Sequence, residues 1–341
     1  MAPAIHSRRN IQPTGDLMRT IWAIFAAAAA IVSVSPATAH AQDWPTRPVK
    51  IVSPFAPGGA ADTLGRLAAE QLSTVFNQQF FVENRAGGGG LIGAAAVAAA
   101  DPDGYTLVVS GIASNVLSPA FNANPGYDGL RDFAHIAYLG GPPVVVIVHP
   151  SLGIKTYKEL VAYAKGSSKA LDYISPGVGT HGYIFAEELA RQEGFKLSHI
   201  PYKGAGPALM DLVAGHVKVG SITFSSAAQM IRTGKVVALA VSSEKRLPHF
   251  PDIPTFVELG HPDLISETWF GLSGPARMPS DIVRLLNREA DKFLQKPDVK
   301  KRMAVDEIEA RPMTPAGYTK HIEAETARWV PLAKALAASS H

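Results

Sequence analysis

The chain has 341 residues, 47% of them hydrophobic and 18% charged, which is typical of a globular protein with room for two domains and excludes a disordered chain. It contains no cysteine, so a disulfide framework, a cysteine-based zinc site, an iron–sulfur cluster, a thiol nucleophile and a cysteine-linked lipid anchor are excluded. The formal net charge is +3, and neither this value nor any basic block favours nucleic acid or an anionic membrane as a partner.

The first 41 residues have the order of an export signal. Arg8, Arg9 and Arg19 form a basic start, residues 21–34 are an uncharged apolar run, and residues 39–41 give the small-x-small pattern that a signal peptidase reads. The apolar run is shorter than the roughly 20 residues that a membrane-spanning helix needs. We therefore expect 1–41 to be a cleaved signal peptide, with an uncleaved anchor as the alternative.

The expected mature protein begins near Gln42 and lies in the periplasm. The pair Arg8-Arg9 leaves open whether export follows the general or the twin-arginine route. The sequence also leaves open whether translation starts at Met1 or at Met18, because a start at either methionine keeps a working signal.

After the signal, short apolar strands alternate with amphipathic helices. Strands are predicted at 49–55, 80–84, 106–111, 135–140, 144–149, 171–175, 197–202, 217–223, 236–242 and 268–271. Helices are predicted at 62–76, 157–165, 180–192 and 207–214, and two further helices start at Ser280 and at Thr314. This alternation predicts mostly parallel sheets with right-handed crossovers, and about 300 residues suffice for two α/β lobes.

The first candidate binding loop runs from residue 54 to residue 62, between the first predicted strand and helix. Gly58 and Gly59 allow backbone N–H groups to turn toward one point, and the helix that follows adds its positive end. Such a loop forms a cradle for a carboxylate or phosphate, with a plain tight turn as the alternative. Asp62 is predicted to cap the helix.

A second cradle is predicted at residues 175–182, again between a strand and a helix. Ser175 and Thr180 offer hydroxyl donors, and Thr180 can cap the helix. His181 is either a ligand donor or a solvated residue of the first turn. The spacing of Gly177, Gly179 and Gly182 fits G-x-G-x-x-G, but no acidic residue closes the next strand, so the dinucleotide interpretation is weak.

Two other glycine motifs are weaker still. The G-x-G-x-x-G at residues 88–93 does not follow its strand at once, and the segment 203–207 resembles half a phosphate loop without its ending. Neither the serine-hydrolase elbow G-x-S-x-G nor the zinc-peptidase motif H-E-x-x-H occurs. We therefore expect a binding protein with no catalytic residues, no metal and no cofactor. A secreted hydrolase or transferase on a similar fold, or a nucleotide-binding protein, are the alternatives.

The mature chain resembles the periplasmic solute-binding proteins of tripartite tricarboxylate transporters, the Bug or TctC-like family. Eight short motifs in order carry the resemblance: Trp44-Pro45-Thr46-Arg47-Pro48, Pro54-Phe55-Ala56-Pro57-Gly58-Gly59, Val82-Glu83-Asn84-Arg85, Pro102-Asp103-Gly104-Tyr105-Thr106-Leu107, Gly177-Val178-Gly179-Thr180, Pro201-Tyr202-Lys203-Gly204, Trp269-Phe270-Gly271-Leu272 and Ala327-Arg328-Trp329. Each motif is weak alone, but their order and spacing together are specific.

The resemblance implies a two-lobed type II periplasmic binding fold that closes like a Venus flytrap, with the ligand cleft between the lobes. Lobe 1 would take 44–140 and 266–341, and lobe 2 would take 141–265. The implied ligand is a small carboxylate, held by backbone N–H groups, hydroxyls and water without an arginine clamp. The predicted ligand-binding residues are Phe55, Gly58, Gly59, Ala60, Ser114, Ser175, Gly179, Thr180, His181 and Thr223.

The implied partners are the membrane subunits of such a transporter, with an orphan receptor that feeds a sensor as the alternative; we expect a monomer that binds no nucleic acid. The sequence departs from the family at the far end of the pocket. Ile222-Thr223 replaces an Asp-Asn pair, Lys218 replaces an Asp, and Tyr183 replaces a His. These losses of acidic character disfavour an ammonium-bearing ligand and favour a plain carboxylate with an apolar or aromatic body.

Overall fold

The computed structural model describes residues 44–339, so the predicted signal peptide lies outside the described residues. The described part forms ten strands: β1 (Val49–Ser53), β2 (Phe80–Asn84), β3 (Thr106–Gly111), β4 (Phe133–Gly140), β5 (Val144–Val148), β6 (Leu171–Ser175), β7 (Leu197–Pro201), β8 (Val219–Thr223), β9 (Val237–Val241) and β10 (Phe270–Pro275). Each strand overlaps one predicted from the sequence. The largest difference is at β10, which starts later than predicted and runs to Pro275.

The helices of the described part alternate with these strands. They are α1 (Ala60–Phe76), α2 (Leu91–Ala98), α3 (Ser118–Phe121), α4 (Tyr157–Gly166), α5 (His181–Glu193), α6 (Ala205–Val213), α7 (Phe224–Arg232), α8 (Ser280–Gln295), α9 (Pro297–Val305) and α10 (Pro315–Ser339). A π-helical turn, Ala113–Leu117, leads into α3, and single 3₁₀ turns occupy Gly88–Gly90, Pro150–Leu152 and Pro262–Leu264. Among the described helices, none is long and apolar enough to cross a membrane.

The strands form two five-stranded sheets with the same pattern. Their orders are β2-β1-β3-β10-β4 and β7-β6-β8-β5-β9. In the first sheet β1 runs parallel to β2 and β3, whereas β10 is antiparallel to β3 and β4. In the second sheet β6 runs parallel to β7 and β8, whereas β5 is antiparallel to β8 and β9. Both sheets are therefore mixed but mostly parallel as predicted: four of the five strands in each point the same way, and only β10 or β5 runs against them.

The antiparallel strands have a simple origin in the path of the chain. β5 and β10 are the first strands that the chain forms after it leaves the other sheet. Neither the link from β4 to β5 (141–143) nor the link from β9 to β10 (242–269) contains an α-helix that could bring the chain back to the edge from which a parallel strand starts. A sequence pattern of strands and helices does not reveal this change of direction.

Residues from Trp44 onward form one compact unit that holds both sheets. Below, lobe 1 and lobe 2 denote the parts of the chain that carry the first and second sheet; the exact limits 44–140 with 266–341, and 141–265, stay a prediction. Core residues run through both parts. Tyr138 and Trp269 of lobe 1 belong to the same apolar cluster as Val144 and Phe256 of lobe 2. The floor between the lobes is therefore continuous hydrophobic core.

Candidate ligand-binding site

A cavity lies between the two lobes, at the carboxyl ends of β1 and β6. Its empty volume, including the open mouth, is about 430 Å³. None of its lining residues carries a formal charge. They are Phe55, Gly59, Ala60, Ala61, Ala113, Pro176, Thr180, His181, Gly182, Ala205, Thr223, Thr268 and Phe270. The wall is thus apolar and neutral, with polar contacts limited to hydroxyls, one imidazole and backbone.

The first predicted cradle forms one wall through the start of α1. Gly58 has a positive φ of 86°, whereas Gly59 is extended with φ −98° and stands at the N-cap position. The first N–H groups of a helix have no partner within it, which leaves those of residues 59–62 available. One of them is used across the cleft, because Ala60 N donates to Ser226 Oγ of lobe 2 at 3.2 Å. The positive end of α1 therefore faces lobe 2.

Asp62 does not cap α1 as the sequence predicted. It is the third residue of the helix, and its carboxylate accepts hydrogen bonds from Gly58 N at 3.2 Å, Asn84 Nδ2 at 2.9 Å and Arg66 Nε at 3.0 Å. Burial would raise the pKa of Asp62, but these hydrogen bonds outweigh burial and hold the pKa below its ordinary value of 3.8. Asp62 thus fixes the turn, and the Gly58 N–H is already bonded within it.

The second predicted cradle forms the opposite wall through the start of α5. Thr180 stands at the N-cap position, but its side chain does not cap the helix. Its hydroxyl instead donates to Gly177 O at 2.7 Å, while Ser175 Oγ accepts from Gly177 N at 3.1 Å and lies 2.7 Å from His199 Nε2. The two hydroxyls that the sequence offered as ligand donors are therefore used inside the loop, because its positive-φ glycines leave polar backbone to be satisfied.

Two loops from each lobe touch along the cleft, so the structure is a closed form. Ala56 N of lobe 1 donates to Lys203 O of lobe 2 at 2.9 Å. At the other end Ser118 Oγ lies 2.8 Å from Gly89 O of its own lobe and 3.0 Å from Gly179 O of lobe 2. Glycines such as Gly89 and Gly206 allow this close approach, because they have no Cβ to keep the lobes apart.

His181 is a buried wall residue of the cavity, not a solvated residue of the first turn. It is only 1% exposed, and its Nδ1 lies 2.8 Å from Thr268 Oγ1. Its ring meets that of Trp329 nearly at right angles, with centroids 5.2 Å apart. Burial lowers the pKa of His181 to about 3, with a smaller effect from Arg328, so the imidazole is neutral at physiological pH.

The other predicted residues divide between the cavity wall and the layer behind it. Six of the ten predicted residues line the cavity: Phe55, Gly59, Ala60, Thr180, His181 and Thr223. Four do not: Gly58, Ser114, Ser175 and Gly179. Ser114 Oγ bonds to Asn115 Oδ1 at 3.0 Å, and its neighbour Ala113 takes the place at the wall.

Seven wall residues were not predicted. Four are immediate neighbours of predicted ones in sequence, namely Ala61, Ala113, Pro176 and Gly182. Thr268 and Phe270 lie in or beside a strand predicted at the right place, but nothing in the sequence says that it reaches the cleft. Ala205 starts α6 inside the segment 203–207, which resembles half a phosphate loop, so that weak signal did mark a helix start at the site.

In the described part of the chain, the shortest contact between a serine hydroxyl and a histidine ring joins Ser175 Oγ to His199 Nε2 at 2.7 Å. Ser175 is fully buried, does not line the cavity, and accepts the Gly177 N–H, so the pair shapes the loop and has no access to a substrate. Within residues 44–339 no group of three or more His, Asp or Glu side chains is arranged to hold a metal ion.

Comparison with known proteins supplies the family. Residues 64–338 match the model of the tripartite tricarboxylate transporter family receptor. BugT of Bordetella pertussis is 33% identical over 308 residues, which cover 90% of this chain and 93% of that protein. A protein of R. palustris solved with adipate has a TM-score of 0.83 and 32% identity, covering 86% of this chain and 98% of that one.

MatC from Rhodopseudomonas palustris, solved with bound malate, is similar as well. It has a TM-score of 0.81 and 31% identity, and covers 85% of this chain and all of that one, 100%. The two-lobed α/β fold and the family that the eight motifs indicated are confirmed. The chain belongs to the receptors of tripartite tricarboxylate transporters, which are periplasmic solute-binding proteins and not enzymes.

Proposed function

We propose that this protein captures a small organic acid in the periplasm and delivers it to the membrane subunits of a tripartite tricarboxylate-type transporter. One observation carries the proposal: the first turns of α1, α5 and α6 meet at a single uncharged cavity. Each helix N-terminus favours a negative charge by about 0.3–1 kcal/mol, and more when partly buried. Relatives solved with adipate and malate support the same class of ligand.

The ligand carboxylate would be held by backbone N–H groups near Gly59, Ala61 and Gly182, since the Ala60 N–H is already bonded to Ser226 Oγ and no arginine or lysine lines the cavity. Phe55 and Phe270 give the rest of the wall an apolar character. With no acidic lining residue to pair with an ammonium group, an amino acid would bury an uncompensated cation. These features support a carboxylate whose body is largely apolar.

A thermal-shift screen of organic acids and their matched amides tests this function. A ligand that binds only the folded protein stabilises it by about 2.7 kcal/mol at a hundred times its Kd, so an acid that fits should raise the Tm clearly. The matched amide has the same shape without the charge and should raise it little. Equal shifts from acid and amide would show that the helix N-termini do not recognise charge.

Export is the second part of the proposal. The basic start, the short apolar run and the cleavage pattern at residues 39–41 support removal of residues 1–41 before the protein acts in the periplasm. Intact-mass measurement of protein from the periplasmic fraction should give a chain that begins near Gln42. A mass that still includes residues 1–41 would contradict it.

A further inference from the structure

The pair formed by His181 and Thr268 has a hydrogen-bonding capacity that the protein itself does not use. Both residues line the cavity, and their side chains meet through Nδ1 and Oγ1 at 2.8 Å. Within the described residues, His181 Nε2 is buried and has no hydrogen-bond partner. An unpaired buried polar atom is unfavourable, so such an atom beside a cavity calls for a partner that enters the cavity.

Counting hydrogens shows what that partner must do. A neutral imidazole carries one N–H and threonine carries one O–H, so the pair has two polar hydrogens and uses one of them in the hydrogen bond between His181 and Thr268. If Thr268 donates, the imidazole hydrogen is on Nε2. If Nδ1 donates, Nε2 is a bare acceptor and the Thr268 hydrogen is free. In either tautomer one donor remains, and in the second an acceptor remains beside it.

The remaining lining suits the rest of such a ligand. Ala113, Pro176, Phe55 and Phe270 offer no side-chain hydrogen bond, so the His181–Thr268 pair is a polar point in a mainly apolar wall. A hydroxyl group can donate and accept, and therefore satisfies the pair in both tautomers. A carbonyl oxygen accepts from Nε2 in the tautomer that carries its hydrogen there, and in the other tautomer it accepts only from the Thr268 hydroxyl and leaves Nε2 unpaired, so it selects the first tautomer.

We infer that His181 and Thr268 together recognise a neutral oxygen on the body of the ligand, so that the preferred substrates are hydroxy or oxo acids and not the unsubstituted acids. The inference rests on the proposed function, since it concerns the same cavity. The imidazole in this pair belongs to the residue directly after the Gly179-Thr180 step, His181. The neutral state of His181 agrees with recognition of an uncharged oxygen.

Matched acids measured by calorimetry test the inference: propionate against lactate and pyruvate, and succinate against malate. One neutral hydrogen bond changes affinity by about 2- to 12-fold, so at least one substituted acid should bind more tightly than its parent by that factor. In His181→Phe this preference should fall to near one while the parent acid still binds. His181→Gln restores a donor and an acceptor and should recover part of the preference.

Ring ¹⁵N shifts of His181 provide a readout that does not depend on folding effects. A preferred ligand should perturb the Nε2 signal, and the parent acid should leave it nearly unchanged. The inference is overturned if wild type binds parent and substituted acids equally, or if His181→Phe keeps the preference. His181→Phe would keep the preference if Nε2–H pointed at the Trp329 ring and not at the ligand. If no acid binds at all, the proposed function itself fails.

Discussion

Gly206 allows the lobes to close, and a single methyl group there should hold them apart. It is the second residue of α6 and touches the loop of lobe 1 that precedes α1. A Cβ built on Gly206 would lie 2.2 Å from Pro57 O, 3.3 Å from Pro57 C and 3.4 Å from Gly58 C, all of them backbone atoms. Because backbone cannot rotate away as a side chain can, the two loops must separate by about 1 Å to reach normal contact.

The substitution Gly206→Ala should spare lobe 2 itself. Gly206 is not among the glycines with positive φ, and alanine is a better helix former than glycine by about 1 kcal/mol. The penalty falls on the closed form alone, where overpacking costs about 1–3 kcal/mol. Since ligand binding draws on the closed form, Kd should rise by about 5- to 140-fold.

Calorimetry with an acid identified in the thermal-shift screen measures this effect, and small-angle scattering should show a more open variant. Gly166→Ala is the matched control, because Gly166 also lies in a helix of lobe 2 and a Cβ there meets nothing within 4 Å. The control should bind like wild type. If Gly206→Ala binds as tightly as the control and keeps its fold, contact between these loops is not required for closure.

Three further substitutions test the two walls of the cleft. Ser226→Ala removes the acceptor of Ala60 N, which is worth about 1 kcal/mol, so the ligand-free protein should shift about fivefold toward open forms; an unchanged radius of gyration would contradict this. Thr180→Val removes the bond to Gly177 O and should lower the unfolding free energy in urea by about 1 kcal/mol, whereas Thr180→Ser should not. Asp62→Asn should change the pH dependence of Tm. The pKa of Asp62 is lowered in the folded state, so the carboxylate stabilises the fold above pH 3.8 and this stabilisation disappears as the pH falls further. The difference in Tm between wild type and variant should therefore close below pH 3.8.

Local signals predicted the elements well. The run of five apolar β-branched residues in β5 is fully buried, as such a run predicts. α4 starts with a capping box in which Thr156 and Glu159 bond each other's backbone N–H groups, a signal written in four consecutive residues. These features need no knowledge of the rest of the chain, so they can be read from sequence alone.

The roles within the site depend on distant residues and could not be predicted in the same way. From the sequence, Ser175 and Thr180 are candidate ligand donors. In the structure both hydroxyls lie within hydrogen-bond distance of Gly177 O, in the turn between them. Asp62 looks like a cap until Gly58 N is seen to reach it. Thr268 comes to His181 from 87 residues away in the chain. Hydroxyl and carboxylate side chains have several possible partners, and only the fold selects one.

Close contacts at glycine residues on both ends of the cleft make its closure sensitive to the size of the ligand. A Cβ on Gly89 would lie 2.4 Å from Val178 O, just as one on Gly206 would lie 2.2 Å from Pro57 O, so backbone atoms limit the approach of the lobes at both ends. Rigid backbone contacts at both ends allow only one distance between the closed lobes. A ligand that fits leaves these contacts in place, and a ligand that is too large holds the lobes further apart. The width of the closed cleft therefore differs between a ligand that fits and one that is too large.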